Sequence, residues 1–263
     1  MKQTHALFFD IDGTLVSFKT HEIPASTILA LTQAKANGHQ VYIATGRPIQ
    51  IITNLHAIEH LIDGYITTNG AFCFVGDEVV CCNAIAPQDV ETMLADSRTY
   101  DYSCVIASKT QFAVYNAHPD FDKIFIEQLA VEGLDPSCMS VEKALQEPIL
   151  QFSPFFGIEH EKELMARLTG CVSGRWHPAF TDITARGTDK GSALHVMARH
   201  LQLNMNHTIA FGDGGNDLTM IREAGIGIAM GNANDILKQN ADYLTSSVDD
   251  DGILNALRYF EII

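Results

Sequence analysis

The sequence is short of positive charge. Against 32 Asp and Glu there are 17 Lys and Arg among 263 residues, a formal net charge of −15. That balance argues against a general nucleic-acid or anionic-membrane surface, because both need Lys and Arg to meet phosphate. An anionic ligand would need a metal ion or a few placed cations. Long apolar runs are missing as well. No stretch approaches the roughly 18 residues of a membrane span, and Asp10 interrupts the apolar run near the N-terminus before it reaches the length of a signal-peptide core. The expectation is a cytoplasmic protein without a membrane or nucleic-acid partner. The six cysteines (Cys73, Cys81, Cys82, Cys104, Cys138, Cys171) show no C-x-x-C spacing. They read as buried or incidental thiols, not as zinc ligands or disulfides. Internal repeats and low-complexity tracts are absent. With 46% hydrophobic residues, the chain can bury a substantial core as one large or two smaller domains.

What is present is a series of apolar strands that stop at polar residues and glycine. Ala6-Leu7-Phe8-Phe9 reads as a buried strand that ends at Asp10-Ile11-Asp12-Gly13-Thr14. Residues i and i+2 of a strand share a side, so Asp10 and Asp12 face one site if the extended geometry persists, and Gly13 then permits a sharp turn. A helix is expected over 24–37, between Pro24 and Gly38. Gln40 to Ala44 is a second strand, ending in Thr45-Gly46-Arg47-Pro48. A helix over 49–59 and a third strand over 64–68, ending in Asn69-Gly70, complete a strand–helix alternation. That alternation predicts a doubly wound, parallel α/β sheet.

The rhythm changes near residue 83. A helix over 87–95, strand pairs over 104–115 and 171–184, helices over 121–129 and 159–168 and an apolar stretch over 149–156 predict an α+β module at 83–185, inserted into a core made of 1–82 and 186–263. The alternation returns with a helix over 191–201. A strand over 208–211 follows, ending in Gly212-Asp213-Gly214-Gly215-Asn216-Asp217. Short strands over 226–229 and 243–245 and a helix over 252–260 close the chain.

In an open α/β sheet, ligands bind outside the carboxyl ends of the strands. There the sequence supplies Asp10 and Asp12, Thr45 with Gly46, Asn69, and Asp213 with Asp217, and Lys190 opens a helix nearby. Carboxylates for a hard cation, a hydroxyl, glycine amides and one lysine suit phosphate with Mg²⁺.

These motifs resemble those of the haloacid dehalogenase (HAD) superfamily of phosphohydrolases, and more narrowly its Cof-type branch with a type IIB cap. The match runs through Asp10-Ile11-Asp12-Gly13-Thr14-Leu15, Thr45-Gly46-Arg47, Asn69-Gly70-Ala71, Lys190-Gly191, Gly212-Asp213-Gly214-Gly215-Asn216-Asp217 and Ala229-Met230-Gly231-Asn232-Ala233. The resemblance implies a Rossmann-like HAD core with an inserted α+β cap. It implies Asp10 as nucleophile and Asp12 as general acid and base. It implies Thr45 on the phosphoryl oxygens, Lys190 against their charge, and Mg²⁺ held by Asp10, the Asp12 carbonyl and Asp213, with Asp217 behind them. Gly46, Arg47, Asn69, Asn216 and Asn232 match positions near the phosphate or the cap. The implied activity is a phosphatase on a small phosphorylated metabolite, hexose phosphates first. A sugar phosphomutase and a non-catalytic phosphate-responsive module are the alternatives. No cap motif identifies the substrate. His56 and His60 have helical spacing but no third ligand, Gly225-Ile226-Gly227 reads as a helix stop, and Asp249-Asp250-Asp251 as a solvated turn. Trp176 and His177 are cap residues that could meet substrate.

Overall fold

The computed structural model describes residues 3–124 and 136–263. It divides into two compact units, one of Met1–Gly46, Asn54–Cys81 and Asp189–Ile263, the other of Arg47–Thr53 and Cys82–Thr188.

The first unit is built on β1 (Ala6–Phe9), β2 (Gln40–Ala44), β3 (Gly64–Thr67), β4 (Phe72–Val75) and β5 (Glu78–Cys82), with β11 (Thr208–Gly212), β12 (Ile226–Ala229) and β13 (Tyr243–Leu244) from later in the chain. Their order in the sheet is β13-β12-β11-β1-β2-β3-β4-β5. The strands from β13 to β3 run parallel, and β4 turns back antiparallel to β3. β1 lies inside the sheet and is apolar on both faces, as a doubly covered parallel strand must be. Phe8 stacks on Tyr42, with ring centroids 4.9 Å apart, and Phe9 on Phe211, at 4.7 Å. These rings are almost wholly buried, and each contributes about 1.5–3 kcal/mol by leaving water. Leu194 and Met197 of α6 (Lys190–His200) and Met220 and Ile221 of α7 (Leu218–Glu223) join Phe8 and Tyr42 in one cluster. α1 (Ala25–Ala36) packs with α9 (Gly252–Tyr259), and both also bury apolar residues. α8 (Asp235–Asn240) lies between β12 and β13 in the chain.

The second unit carries a five-stranded antiparallel sheet in the order β7-β6-β8-β10-β9, formed by β6 (Cys104–Ser108), β7 (Phe112–Tyr115), β8 (Ile149–Pro154), β9 (Cys171–His177) and β10 (Phe180–Ala185). One face packs Ile106, Phe152 and Ile183 with Met93 of α2 (Pro87–Tyr100) and Leu164 of α5 (Ile158–Met165). Ile51, Val105, Phe112, Phe155 and Phe180 form a further cluster. The short helical turns α3 (Pro119–Phe121) and α4 (Val141–Ala144) complete it.

One sequence expectation changes and two elements are added. The helix over 49–59 is not formed; single 3-10 turns stand at Ile49–Ile51 and Glu59–Leu61. The run Ile51-Ile52-Thr53 is β-branched and stiff at χ1, which disfavours a continuous helix. The β4–β5 pair was not expected, although Gly76-Asp77 between two β-rich runs is a hairpin signal; it makes one edge of the parallel sheet antiparallel. The apolar stretch over 149–156 contains β8, the middle strand of the second sheet. Of the helix expected over 121–129, residues 125–129 lie outside the described residues. No helix of the described residues is long and apolar enough to cross a membrane.

Candidate active site

The carboxyl ends of β1, β2, β3 and β11 gather the candidate residues of the first unit. Asp10 follows β1 directly, and its N–H donates to the Phe211 carbonyl (3.1 Å), so it continues the ladder by one residue. The extended chain stops there. The amides of Leu15 and Val16 both donate to the Ile11 carbonyl (2.9 and 2.8 Å). Asp12 therefore reaches the cluster around a tight turn, not by strand alternation. Gly13 sits at φ +82°, and a Cβ there would collide with the Asp213 carboxylate. The glycine is required for this close approach as well as for the turn.

Lys190 is the first residue of α6, whose N-cap Asp189 accepts from the Ser192 amide at 2.9 Å. Its side chain is 0% exposed and its Nζ donates to Asp10 Oδ1 (2.7 Å) and Asp217 Oδ1 (2.6 Å). Asp217 is fully occupied: its other oxygen accepts from the amides of Asp213 (3.0 Å) and Gly214 (2.9 Å). Carboxylate oxygens of Asp10, Asp213 and Asp217 lie within 4.8 Å of one another.

The electrostatics follow from this crowding. Burial raises the Asp10 carboxyl well above the usual range, the Asp217 charge adds to that, and Lys190 opposes it. Burial, then Asp217, pushes Asp213 up to about 7, with Asp12 adding and Lys190 and Asn232 opposing. Burial lowers Lys190, but the Asp10 and Asp217 charges outweigh it and hold the ammonium above its ordinary value. Three carboxylates thus gather around one lysine. A hard divalent cation between Asp10 and Asp213 fits this donor set, and Mg²⁺ prefers such oxygens. Asp217, with both oxygens engaged, suits a role behind the ligands.

A stability prediction follows. In the unfolded chain an Asp ionises near about 3.9, whereas folded Asp213 does so at about 7 and Asp10 is raised in the same direction. The folded state binds more protons between those values, so stability falls as pH rises through that window. Asp182, pushed up to about 6 by burial, adds to the same trend. Lys190 stays charged throughout. Metal-free protein is expected to melt at least roughly 5 °C lower at pH 8 than at pH 5, and added Mg²⁺ to recover most of that loss. Thermal melts in EDTA and in Mg²⁺ at both pH values test this; a flat pH response in EDTA would contradict the crowding.

The other candidates divide. Thr45, 1% exposed, donates its N–H to the Ile66 carbonyl (2.8 Å), and its own carbonyl accepts from Asn69 (3.1 Å). Asn69 Oδ1 accepts from Asn216 Nδ2 (3.1 Å) and lies where a Cβ on Gly46 would be 3.0 Å away. Asn232 Nδ2 donates to the Gly13 carbonyl (2.8 Å) and Asp213 Oδ2 (3.2 Å), while its Oδ1 accepts from Val248 (3.0 Å). Arg47 belongs to the second unit, where it donates to the Ile51 carbonyl (3.0 Å). Asp249, Asp250 and Asp251 lie in an exposed turn, as expected, where Asp249 accepts from Ser17 Oγ (2.6 Å) and pairs with Lys19 (2.7 Å). Sequence reasoning missed Thr68, a buried β-branched residue at φ +50°, a conformation of the kind that costs of order 1–3 kcal/mol. No local signal marks it, since Thr is not a left-handed former.

Comparison with known proteins agrees with this geometry. A family model described as haloacid dehalogenase-like hydrolase matches residues 7–257. YkrA of Bacillus subtilis (strain 168) is 31% identical over 256 residues, covering 96% of each chain. The 5-amino-6-(5-phospho-D-ribitylamino)uracil phosphatase YcsE of the same organism is 27% identical over 251 residues, 95% of this chain and 93% of that one. The structure of the HAD subclass IIB sugar phosphatase BT4131 superposes with a TM-score of 0.89 at 45% identity, over 98% of this chain and 100% of that one. With its acidic cluster, its buried lysine and a family match over nearly its whole length, this chain belongs to the haloacid dehalogenase-like hydrolases and is a phosphohydrolase of that family.

Proposed function

We propose that the protein is a Mg²⁺-dependent phosphatase of small phosphorylated metabolites, hexose phosphates foremost, working through an aspartyl-phosphate on Asp10. The observation that carries this is Lys190 buried between Asp10 and Asp217, 2.7 and 2.6 Å away, with Asp213 alongside. Lys190 holds Asp10 Oδ1, which orients the second oxygen toward phosphorus. That oxygen attacks, the bond to the leaving oxygen breaks, and Asp12 gives its proton to the leaving alkoxide. Asp12, now a carboxylate, takes a proton from water. The water oxygen attacks phosphorus, the bond to Asp10 breaks, and inorganic phosphate and the free carboxylate are restored. Mg²⁺, when held by Asp10, the Asp12 carbonyl and Asp213, offsets the charge of the phosphoryl group. Thr45, Gly46 and Asn216 serve the phosphoryl oxygens. Asn232 holds Asp213 and the Gly13 carbonyl in place.

The second unit, which takes in the inserted module expected at 83–185 and also the Arg47–Thr53 segment, acts as a cap that selects the leaving group. Its sheet carries Asp182, which accepts from Ser153 Oγ (2.7 Å) and from Nε1 of the exposed Trp176 (2.9 Å). Asp182 is buried with both oxygens engaged and so holds the exposed Trp176 ring in place; an exposed aromatic face suits the apolar face of a sugar, which supports sugar phosphates. The likeness to the sugar phosphatase BT4131 supports them too.

The test is phosphate release with and without Mg²⁺ across hexose phosphates, ribityl phosphates, pyridoxal phosphate, FMN and nucleotides. Metal-dependent release with the highest kcat/KM on hexose phosphates is expected. A clear preference for a ribityl or cofactor phosphate would overturn the sugar assignment, and metal-independent release would overturn the mechanism.

A further inference from the structure

Three consecutive residues after β3 hold left-handed backbone angles: Thr68 at φ +50°, Asn69 at +52° and Gly70 at +97°. Glycine adopts such angles freely and asparagine tolerates them, but a β-branched threonine is an outlier there. The Thr68 side chain is 1% exposed and its Oγ1 has no hydrogen-bond partner, so no local bond offsets the conformation. What the turn gains is contact with three other segments. Asn69 N–H donates to the Thr45 carbonyl at 3.1 Å. Asn69 Oδ1 accepts from Asn216 Nδ2 at 3.1 Å, and packs so closely on Gly46 that a Cβ there would lie 3.0 Å away. Gly70 approaches the start of α6 so tightly that a Cβ would fall 2.5 Å from the Asp189 carbonyl oxygen. The segments touched are those that carry Thr45, Asn216 and Lys190. Strained angles persist where the surroundings over-determine them, and they collect where geometry matters to function.

We infer that Asn69 is a positioning residue: the strained turn uses it to fix the spacing between the Thr45-Gly46 strand end and the Asn216 loop. Two separately folded segments then present their polar groups to one phosphoryl group in register. The inference rests on the phosphatase reading above and gives Asn69 a different role from the direct phosphate contact that the family resemblance implies. Asn69 acts through Thr45, Gly46 and Asn216, and the strain at Thr68 accompanies the turn that brings the Asn69 N–H to Thr45 and the Asn69 Oδ1 to Asn216.

The test uses Asn69→Gly, which keeps the left-handed backbone and removes the bridge, together with Asn216→Ala and the double variant. Asn69→Gly is expected to melt within about 3 °C of wild type. Its kcat should fall roughly 10–30-fold with KM changed less than about threefold, the pattern of an interaction made in the transition state. Asn216→Ala, which removes the bridge together with a side chain assigned to the phosphoryl oxygens, should lose at least as large a factor, and the double variant no more than Asn216→Ala alone, because the Asn69 side chain acts through Asn216. Calorimetry in Mg²⁺ gives a readout without turnover: the Kd for orthovanadate, which mimics five-coordinate phosphorus, should rise about 10-fold or more, and that for inorganic phosphate less than about threefold.

Losses that multiply in the double variant, or kcat within about twofold of wild type in either single variant, would overturn the inference. So would a raised KM at unchanged kcat, which would make Asn69 a direct substrate contact. If Asn69→Gly fails to fold, Asn69→Ala, which also removes the bridge and leaves Asn216 in place, decides the matter through its kcat and vanadate affinity. If wild type binds vanadate but releases no phosphate from any sugar phosphate, the substrate reading fails while the calorimetry still decides the positioning role.

Discussion

Asp10→Asn is expected to lower kcat by at least about 10⁴-fold, because an amide oxygen does not replace the carboxylate proposed as nucleophile. The fold should survive. Asn has the same shape, its Oδ1 still accepts from Lys190, and Lys190 keeps the Asp217 partner at 2.6 Å. Removing one of the four crowded carboxylates also relieves repulsion, since Asp217, Asp213 and Asp12 all raise the Asp10 carboxyl. In EDTA at pH 8 the variant should therefore melt at or above wild type. That combination of lost turnover and retained or improved stability separates chemistry from folding. The measurement is phosphate release by a preparation free of wild-type carry-over, beside a thermal melt. Turnover within about tenfold of wild type would remove Asp10 as nucleophile.

The second large effect concerns stability as well as rate. Lys190→Met removes the buried cation that lies 2.7 Å from Asp10 and 2.6 Å from Asp217. The methionine fills much the same space, but the carboxylates lose their counter-charge inside the protein. Removing one partner from a buried ionic cluster costs about 3–5 kcal/mol, or roughly 10 °C for a chain of this size. The loss should be largest at pH 8, where the carboxylates are charged. It should shrink at pH 5, where Asp10 and Asp213, both raised by burial, take up protons. Mg²⁺ should restore part of it, and activity should fall to background. Chemical denaturation at both pH values, in EDTA and in Mg²⁺, checks this. Wild-type stability at pH 8 in EDTA would show that Lys190 is not what holds the carboxylates together.

Much of the site is legible in the sequence because parallel strands are apolar until they end. The switch from Phe9 to Asp10, from Ala44 to Thr45 and from Gly212 to Asp213 marks the carboxyl edge without any coordinates. Lys190 is legible only through its place at the start of a helix and the family resemblance; a lone lysine after Asp189 carries no sign that it will be fully buried. The hairpin formed by β4 and β5 carries a local signal in Gly76-Asp77, between two runs rich in β-formers. The segment over 49–59 misled because hydrophobic spacing alone does not register the stiffness of Ile51, Ile52 and Thr53. Thr68 was beyond local rules, since the turn that holds it makes its contacts through Asn69 and Gly70 with Thr45, Gly46, Asn216 and Asp189, some of them distant in sequence.

The sequence by itself determined the alternation of strands and helices, the break in that rhythm near residue 83, and which residues end the strands. These follow from hydrophobic period and turn chemistry, which act over a few neighbouring residues. Only the tertiary structure decided that Asp12 arrives around a turn, that Asp217 uses both oxygens on Lys190 and on backbone amides, and that Asn69 ties Thr45 to Asn216. Those outcomes depend on distances between segments up to about two hundred residues apart, such as the 180-residue separation of Lys190 and Asp10. Burial then turned that geometry into chemistry, because charges removed from water must find one another or a cation.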